Sequence, residues 1–178
     1  MPGAGRGLGA VALLLVLLAV LVLGDEGDDG SGPTGSGRSG APEPGGSLTV
    51  PVSRVVDGDT FEISVNGGID DVRLIGVDTP ETVKPGEPVE CFGPQASEFA
   101  HRLLDGRTVR LEFDRERRDV YDRLLAYAYL GDRFVNAELV RGGYARTLEI
   151  EPNTSHAEEL SRLEQAAGAA GRGLWGAC

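Results

Sequence analysis

Between Leu48 and Leu130 the chain breaks into five short strand-like runs interrupted by one helical pattern, and this order constrains the fold more than any other feature. The runs are Leu48–Val56, Thr60–Val65, Asp71–Val77, Arg107–Phe113 and Leu124–Leu130. Gly58 and Asn66-Gly67-Gly68 supply the turns between the first three. After the third run, Gly93-Pro94 opens a helix whose Ala96, Phe99, Ala100, Leu103 and Leu104 share one face, and Gly106 stops it. Asn136 suits the cap of a short helix running through Arg141 and ended by Gly142-Gly143. Ser155-His156-Ala157-Glu158 reads as a capping box for a last helix, along which Leu160, Leu163, Ala167 and Ala170 keep helical spacing. The order suits an α+β domain: a five-stranded OB-type Greek-key β-barrel with three helices.

What precedes this domain has a different character. Ala10–Leu23 is uniformly apolar and follows Arg6, the arrangement of a secretory signal. Even stretched from Leu8 to Gly24, the block falls short of the ~20 residues of a comfortable membrane span. No cysteine follows directly, which excludes a lipoprotein anchor. Residues 1–24 are therefore expected to be a signal peptide or an N-terminal membrane anchor that engages the export machinery or the membrane. Residues 25–47, rich in Gly, Ser, Pro and acid, lack the apolar surface to offset ordering and read as a disordered linker. The folded domain is expected over 48–178, in a monomer that is secreted or displayed at the cell surface.

The formal net charge of −11 repels polyanions at long range, so any phosphate-binding site has to be a local basic patch. One lysine, Lys84, stands among 17 basic residues, a bias that fits a GC-rich genome or a salt-adapted protein. Cys91 and Cys178 lack the close spacing of a zinc site. In an exported chain two distant cysteines suggest one disulfide, with two free thiols as the alternative.

Chemistry concentrates in three segments: Val56-Asp57-Gly58-Asp59-Thr60, Arg73-Leu74-Ile75-Gly76-Val77-Asp78-Thr79-Pro80-Glu81-Thr82, and Asp119-Val120-Tyr121-Asp122-Arg123-Leu124-Leu125-Ala126-Tyr127. Asp57, Asp59, Asp78 and Glu81 fall at turns or strand ends, where carboxylates can gather around a hard cation. No histidine or cysteine is near them, which disfavours zinc. Taken alone, Asp57-Gly58 reads as ordinary hairpin chemistry. Strand alternation puts Arg73 on one face with Ile75 and Val77, where a guanidinium needs an anionic partner, either a phosphate or a neighbouring carboxylate. Arg123 follows a turn and by itself would pass for a solvated surface arginine.

Together the segments resemble the staphylococcal nuclease-like (thermonuclease) family over nearly all of Leu48–Trp175. The shared elements are D-G-D-T, R-L-I-G-V-D-T-P-E-T, G-P-Q-A-S at Gly93–Ser97, D-x-Y-x-R-x-L-A-Y, and N-A-E-L-V-R-G-G-Y-A from Asn136, in the same order. The resemblance implies the staphylococcal-nuclease fold and a calcium-dependent endonuclease acting on DNA, with RNA as a further substrate, that leaves 3′-phosphate ends. It implies that Asp59 and Asp78 are Ca²⁺ ligands together with the Thr79 carbonyl, and that Asp57 lies in the outer shell. Glu81 would position or deprotonate the attacking water, Arg73 and Arg123 would bind the scissile phosphate, and Tyr121 would touch the neighbouring nucleotide. These roles have a physical rationale of their own. An attacking water needs an acceptor, and a phosphodiester gaining charge at its oxygens is stabilised by fixed cations.

Two departures from the family pattern bear on efficiency. The residue before Arg123 is usually glycine, and here it is Asp122, which could pair with Arg123 or repel substrate. The stretch after Tyr144, ARTLEIEPNTSH, lacks the tyrosines that face the base in the type member. The alternatives to an enzyme are a non-catalytic nucleic-acid-binding OB module and a binding protein for another anion. His101 and His156 read as surface or capping residues, and Trp175 as an anchor for the C-terminal tail.

Overall fold

The computed structural model describes residues 45–82, 86 and 88–178. The apolar block Ala10–Leu23 and residues 25–44 of the expected linker lie outside the described residues, as does Lys84. Ser47–Asp57 (β1), Thr60–Val65 (β2) and Gly68–Leu74 (β3) form an antiparallel meander, followed by the short Gly76–Asp78 (β4) and the helix Gly93–Leu104 (α1). Then come Thr108–Glu112 (β5), Leu124–Leu130 (β6), Arg133–Phe134 (β7), Val135–Gly142 (α2), Arg146–Leu148 (β8), Ala157–Ala169 (α3) and the single turn Leu174–Ala177 (α4).

The hydrogen-bonded order is β3-β2-β1-β5-β6-β7, and a further parallel pairing joins β3 to β6. That pairing sets Val72 opposite Leu124 and Leu74 opposite Ala126 and closes β1, β2, β3, β5 and β6 into a barrel. β1 can serve both halves because its register against β2 shifts between Val52 and Arg54 and again between Val55 and Asp57, bending the strand. Alternation fills the interior: Phe61 and Ile63 of β2 are fully buried, as are Val72, Val109, Leu111 and Leu124. Among the described residues no helix is long and apolar enough to cross a membrane.

The expected strand Asp71–Val77 is divided in two. β3 ends at Leu74, the Ile75 amide N–H donates to the Ala126 carbonyl at 3.0 Å, and Gly76, at φ +77°, redirects the chain into β4. Leu74, Ile75 and Val77 are all buried, so the simple two-residue period stops at Leu74. β4 pairs with β8 instead of continuing the barrel.

Asn136 is not a cap. α2 begins at Val135, and the fully buried Asn136 side chain accepts the Ala128 amide N–H at 3.0 Å while donating to the Ile75 carbonyl at 2.8 Å. It clamps β6 to the corner between β3 and β4, a role that local sequence does not reveal. The capping box is likewise displaced. α3 begins at Ala157 with His156 at its N-cap and no side-chain cap bond, while the Ser155 amide donates to Asp114 at 3.1 Å. His156 lies against Tyr127 and Phe134, with ring centroids at 4.5 and 4.7 Å, and so is a packing residue.

Cys91 and Cys178 are joined by a disulfide with Cα atoms 6.0 Å apart, tying the approach to α1 to the end of α4. Trp175, half-buried on α4, lies beneath the guanidinium of Arg146.

Candidate active site

The first acidic turn connects β1 to β2. Asp57 and Asp59 are both buried there. Asp57 Oδ1 accepts the Gly58 amide at 2.8 Å and the Thr82 hydroxyl at 2.8 Å. Asp59 Oδ2 accepts the Thr79 amide at 2.7 Å and the Thr79 hydroxyl at 2.9 Å. Gly58 is required between them for space, since a Cβ at that position would stand 2.7 Å from the Thr79 side chain. The two acidic turns, far apart in sequence, are therefore laced together through Thr79 and Thr82.

Arg73 is the link from this acidic cluster to the barrel wall. It stands opposite Thr60 on β2 and Leu125 on β6, with a side chain only 13% exposed. Its Nη1 lies 2.8 Å from Asp59 Oδ2 and donates to the Val77 carbonyl at 2.9 Å, while Nη2 donates to Asp78 Oδ1 at 3.0 Å. The carboxylate partner foreseen as one alternative for Arg73 is thus present, and twofold.

Partial burial pushes the Asp57 carboxyl above its ordinary range, with Asp59 and Glu81 adding repulsion against the relief from Thr82 and Gly58. Partial burial also raises Asp78, and Asp59 and Glu90 add to it against the opposing pull of Arg73. Several carboxylates thus crowd one corner beyond what Arg73 alone neutralises. Among the described residues no three His, Cys, Asp or Glu side chains form a ready-made cage for a metal. The Asp59 and Asp78 carboxylates, joined through Arg73, offer oxygen donors here. This all-oxygen set fits a hard cation that completes its shell with water.

Glu81 sits on the loop after β4. Its amide donates to Glu90 Oε2 at 3.1 Å, its carbonyl accepts the Glu90 amide at 2.9 Å, and its own Oε1 accepts the Thr82 amide at 2.8 Å. Glu81 and Asp57 thus share Thr82 as a neighbour, the one through its amide and the other through its hydroxyl.

The Arg123 half of the site is built by a tight turn. Asp119 Oδ1 accepts the amides of Tyr121 at 3.0 Å and Arg123 at 2.9 Å, and its Oδ2 accepts Arg123 Nε at 2.6 Å. The Arg123 guanidinium lies 5.4 Å over the ring of Tyr121, which is itself exposed. Burial alone would raise the Asp119 carboxyl, but the bonds from Arg123 outweigh it and hold the group below its usual range. Both arginines line one cavity of about 320 Å³, together with Asp119, Tyr121, Val77, Leu148 and Ile150.

Residues 71–177 match the family model described as staphylococcal nuclease homologue. A thermonuclease of Staphylococcus hyicus is 40% identical over 164 residues, spanning 92% of this chain and 95% of its own. A thermonuclease of Staphylococcus intermedius is 40% identical over 163 residues with the same coverage. Endonuclease YncB of Bacillus subtilis (strain 168) is 39% identical over 130 residues, or 72% of this chain and 62% of its own. The chain belongs to the staphylococcal nuclease family. It is a hydrolase of the nuclease class.

As a member of the staphylococcal nuclease family the chain departs at Asp122, and the structure shows what the acid does. Asp122 has φ +68°, the left-handed conformation for which glycine is the usual choice and which Asp tolerates better than most residues. Its carboxylate reaches toward Arg118 Nε at 3.7 Å, while Arg123 is held by Asp119. The site thus has a supporting residue in Asp119 that needs the folded turn to identify it. The signal was the four-residue spacing of acid and arginine in D-x-Y-x-R. Thr82 and Glu90, which brace Asp57 and Glu81, carry no comparable signal.

Proposed function

We propose that this nuclease is an exported, calcium-dependent endonuclease that hydrolyses DNA, with RNA as a second substrate, and leaves 3′-phosphate ends. The observation that carries the reading is the convergence of Arg73 and Arg123 on one cavity, with Arg73 also bonded to Asp59 and Asp78. In this reading the two guanidinium groups hold the scissile phosphate and meet the charge that builds on its oxygens. Glu81, half-buried on the loop after β4, accepts the proton of the attacking water or orients it. Tyr121 contacts the adjoining nucleotide. Asp59, Asp78 and the Thr79 carbonyl would hold Ca²⁺, with Asp57 behind them through water. Bound there, the ion supplies Lewis-acid stabilisation of the phosphate.

Export is supported by the apolar block Ala10–Leu23 behind Arg6, and by a disulfide, a cross-link that persists in oxidising compartments. In this reading residues 1–24 are the signal or anchor, and the domain acts as a monomer that is secreted or held at the cell surface.

The test is cleavage of single- and double-stranded DNA and of RNA by the purified protein, with Ca²⁺ and with a chelator. Arg73→Ala, Arg123→Ala and Glu81→Ala are each expected to lose ~10²–10³ in rate while the domain stays folded at the assay temperature. Binding without product in the wild type would favour a non-catalytic OB module. Full activity in all three variants would remove the assignment, and undiminished cleavage under chelation would remove calcium.

A further inference from the structure

Arg146 occupies an unusual place for a basic residue in this acidic chain. In the β4–β8 ribbon Asp78 stands directly opposite Arg146, and Gly76 opposite Leu148. Directly opposed residues of an antiparallel pair project to the same face, with Cβ atoms about 5 Å apart. Arg146 and Leu148 are two residues apart on β8, hence on one face and about 7 Å from each other along the strand. Leu148 is a wall of the cavity that holds Arg73 and Arg123. Asp78 and Arg146 thus stand on the same face of the ribbon as Leu148, one pair further along from the cavity wall.

The other arginines around the site are held by carboxylates: Arg73 by Asp59 and Asp78, Arg118 by Asp70, and Arg123 by Asp119. Arg146 is exposed, and its guanidinium lies 4.5 Å over the Trp175 ring, with no carboxylate paired to it among the described residues. A ring platform fixes the plane of a guanidinium yet leaves its in-plane N–H donors open to an anion. Trp175 is itself held in place, since α4 ends at the Cys91–Cys178 cross-link. The result is a fixed cation with open donors directly across the ribbon from Asp78, the residue that Arg73 holds.

We propose that Arg146 binds a second phosphate of the polynucleotide, adjacent to the scissile one on the Asp78 side. The inference rests on reading the Arg73–Arg123 cavity as the scissile-phosphate site. It makes substrate length matter: a chain with a neighbouring phosphate gains a contact that a single phosphodiester cannot make.

The experiment compares wild type, Arg146→Ala and Arg146→Lys with Ca²⁺ on two substrates: a DNA oligonucleotide, and a chromogenic nucleotide ester with one phosphodiester. Arg146→Ala is expected to lose about tenfold in kcat/KM on the oligonucleotide, mostly in KM, as for one lost charge-assisted contact. Its activity on the single diester should equal wild type. Its plot of log kcat/KM against log salt should be shallower by about 0.7, the single-strand value for one phosphate. Arg146→Lys should recover most of the loss. Equal effects on both substrates, or none on the oligonucleotide, would overturn the inference. If Arg146→Ala melts below the assay temperature, Arg146→Gln, which keeps the stem over Trp175, is read against the same outcomes. A wild type inactive on both substrates would instead remove the nuclease site on which the inference rests.

Discussion

Asp119 holds Arg123 at both ends, accepting its amide N–H at 2.9 Å through Oδ1 and its Nε at 2.6 Å through Oδ2. The bond to the backbone fixes the turn, and the bond to the side chain aims the guanidinium into the cavity. Removing this acid should misplace Arg123 without removing its charge. Asp119→Ala is expected to lower kcat/KM by about 10²-fold, the cost of a displacement of roughly 1 Å in a positioned group. Steady-state kinetics beside Arg123→Ala check this. Because the two residues act as one unit, the double variant should be little worse than Arg123→Ala alone.

The neighbouring Asp122 should matter far less. It is exposed, it faces Arg118 rather than Arg123, and its φ of +68° suits glycine better than aspartate. Asp122→Gly relieves the left-handed backbone but frees the unfolded chain, and these effects oppose each other. Stability should move by less than about 1 kcal/mol. Activity should stay within about twofold of wild type, as for most surface changes. A large gain in rate would show that Asp122 repels substrate after all.

How much of this was legible beforehand depends on whether the signal was local. The bounds of Thr60–Val65 and Leu124–Leu130 follow from alternation and flanking turns, and β2 and β6 have those bounds. Barrel closure also follows from strand number and order, and the family membership from motifs of contiguous residues. What could not be read was long-range. The break at Ile75 exists because its amide bonds to Ala126 and its carbonyl to Asn136, partners remote in sequence. Asn136 looked like a cap because Asn before an apolar run usually is one. The service of Thr82 to Asp57 spans 25 residues, and that of Asp119 to Arg123 needs the turn to exist.

Asn136 offers a direct measure of that long-range bracket. Its truncation leaves the Ala128 amide and the Ile75 carbonyl buried without their partner. Each orphaned group costs about 1–3 kcal/mol. Asn136→Ala should therefore lose about 3 kcal/mol in urea unfolding, well beyond a surface substitution. A loss below about 1 kcal/mol would mean that water replaces the amide.

Acid sensitivity should trace in part to Asp114. Burial alone pushes this carboxyl up, but hydrogen bonds from Ser155, Tyr127 and the Arg115 amide hold it below the usual range. A folded value below the unfolded one means that the stabilisation is complete above about pH 3.9 and is lost as pH falls through the lower folded value. Asp114→Asn should be less stable than wild type at pH 7, and the gap should shrink below about pH 4. Urea unfolding at neutral and acid pH measures it. A gap independent of pH would mean that Asp114 acts through shape and not through charge.

The cross-link between Cys91 and Cys178 closes a loop spanning 87 residues, from the start of α1 to the last residue. In the chain-entropy account a loop of this size is worth about 4 kcal/mol, and measured values are commonly lower. The barrel core is complete without α4, so the bond should stabilise without being required for folding. The variant with Cys91→Ser and Cys178→Ser is expected to fold and to lose about 2–4 kcal/mol. Reduced wild type should coincide with it in urea unfolding. Loosening α4 should also release Trp175 from beneath Arg146, so the loss of activity should be greater on the oligonucleotide than on the single diester. Equal activity on both substrates would show that Trp175 keeps its place without the bond.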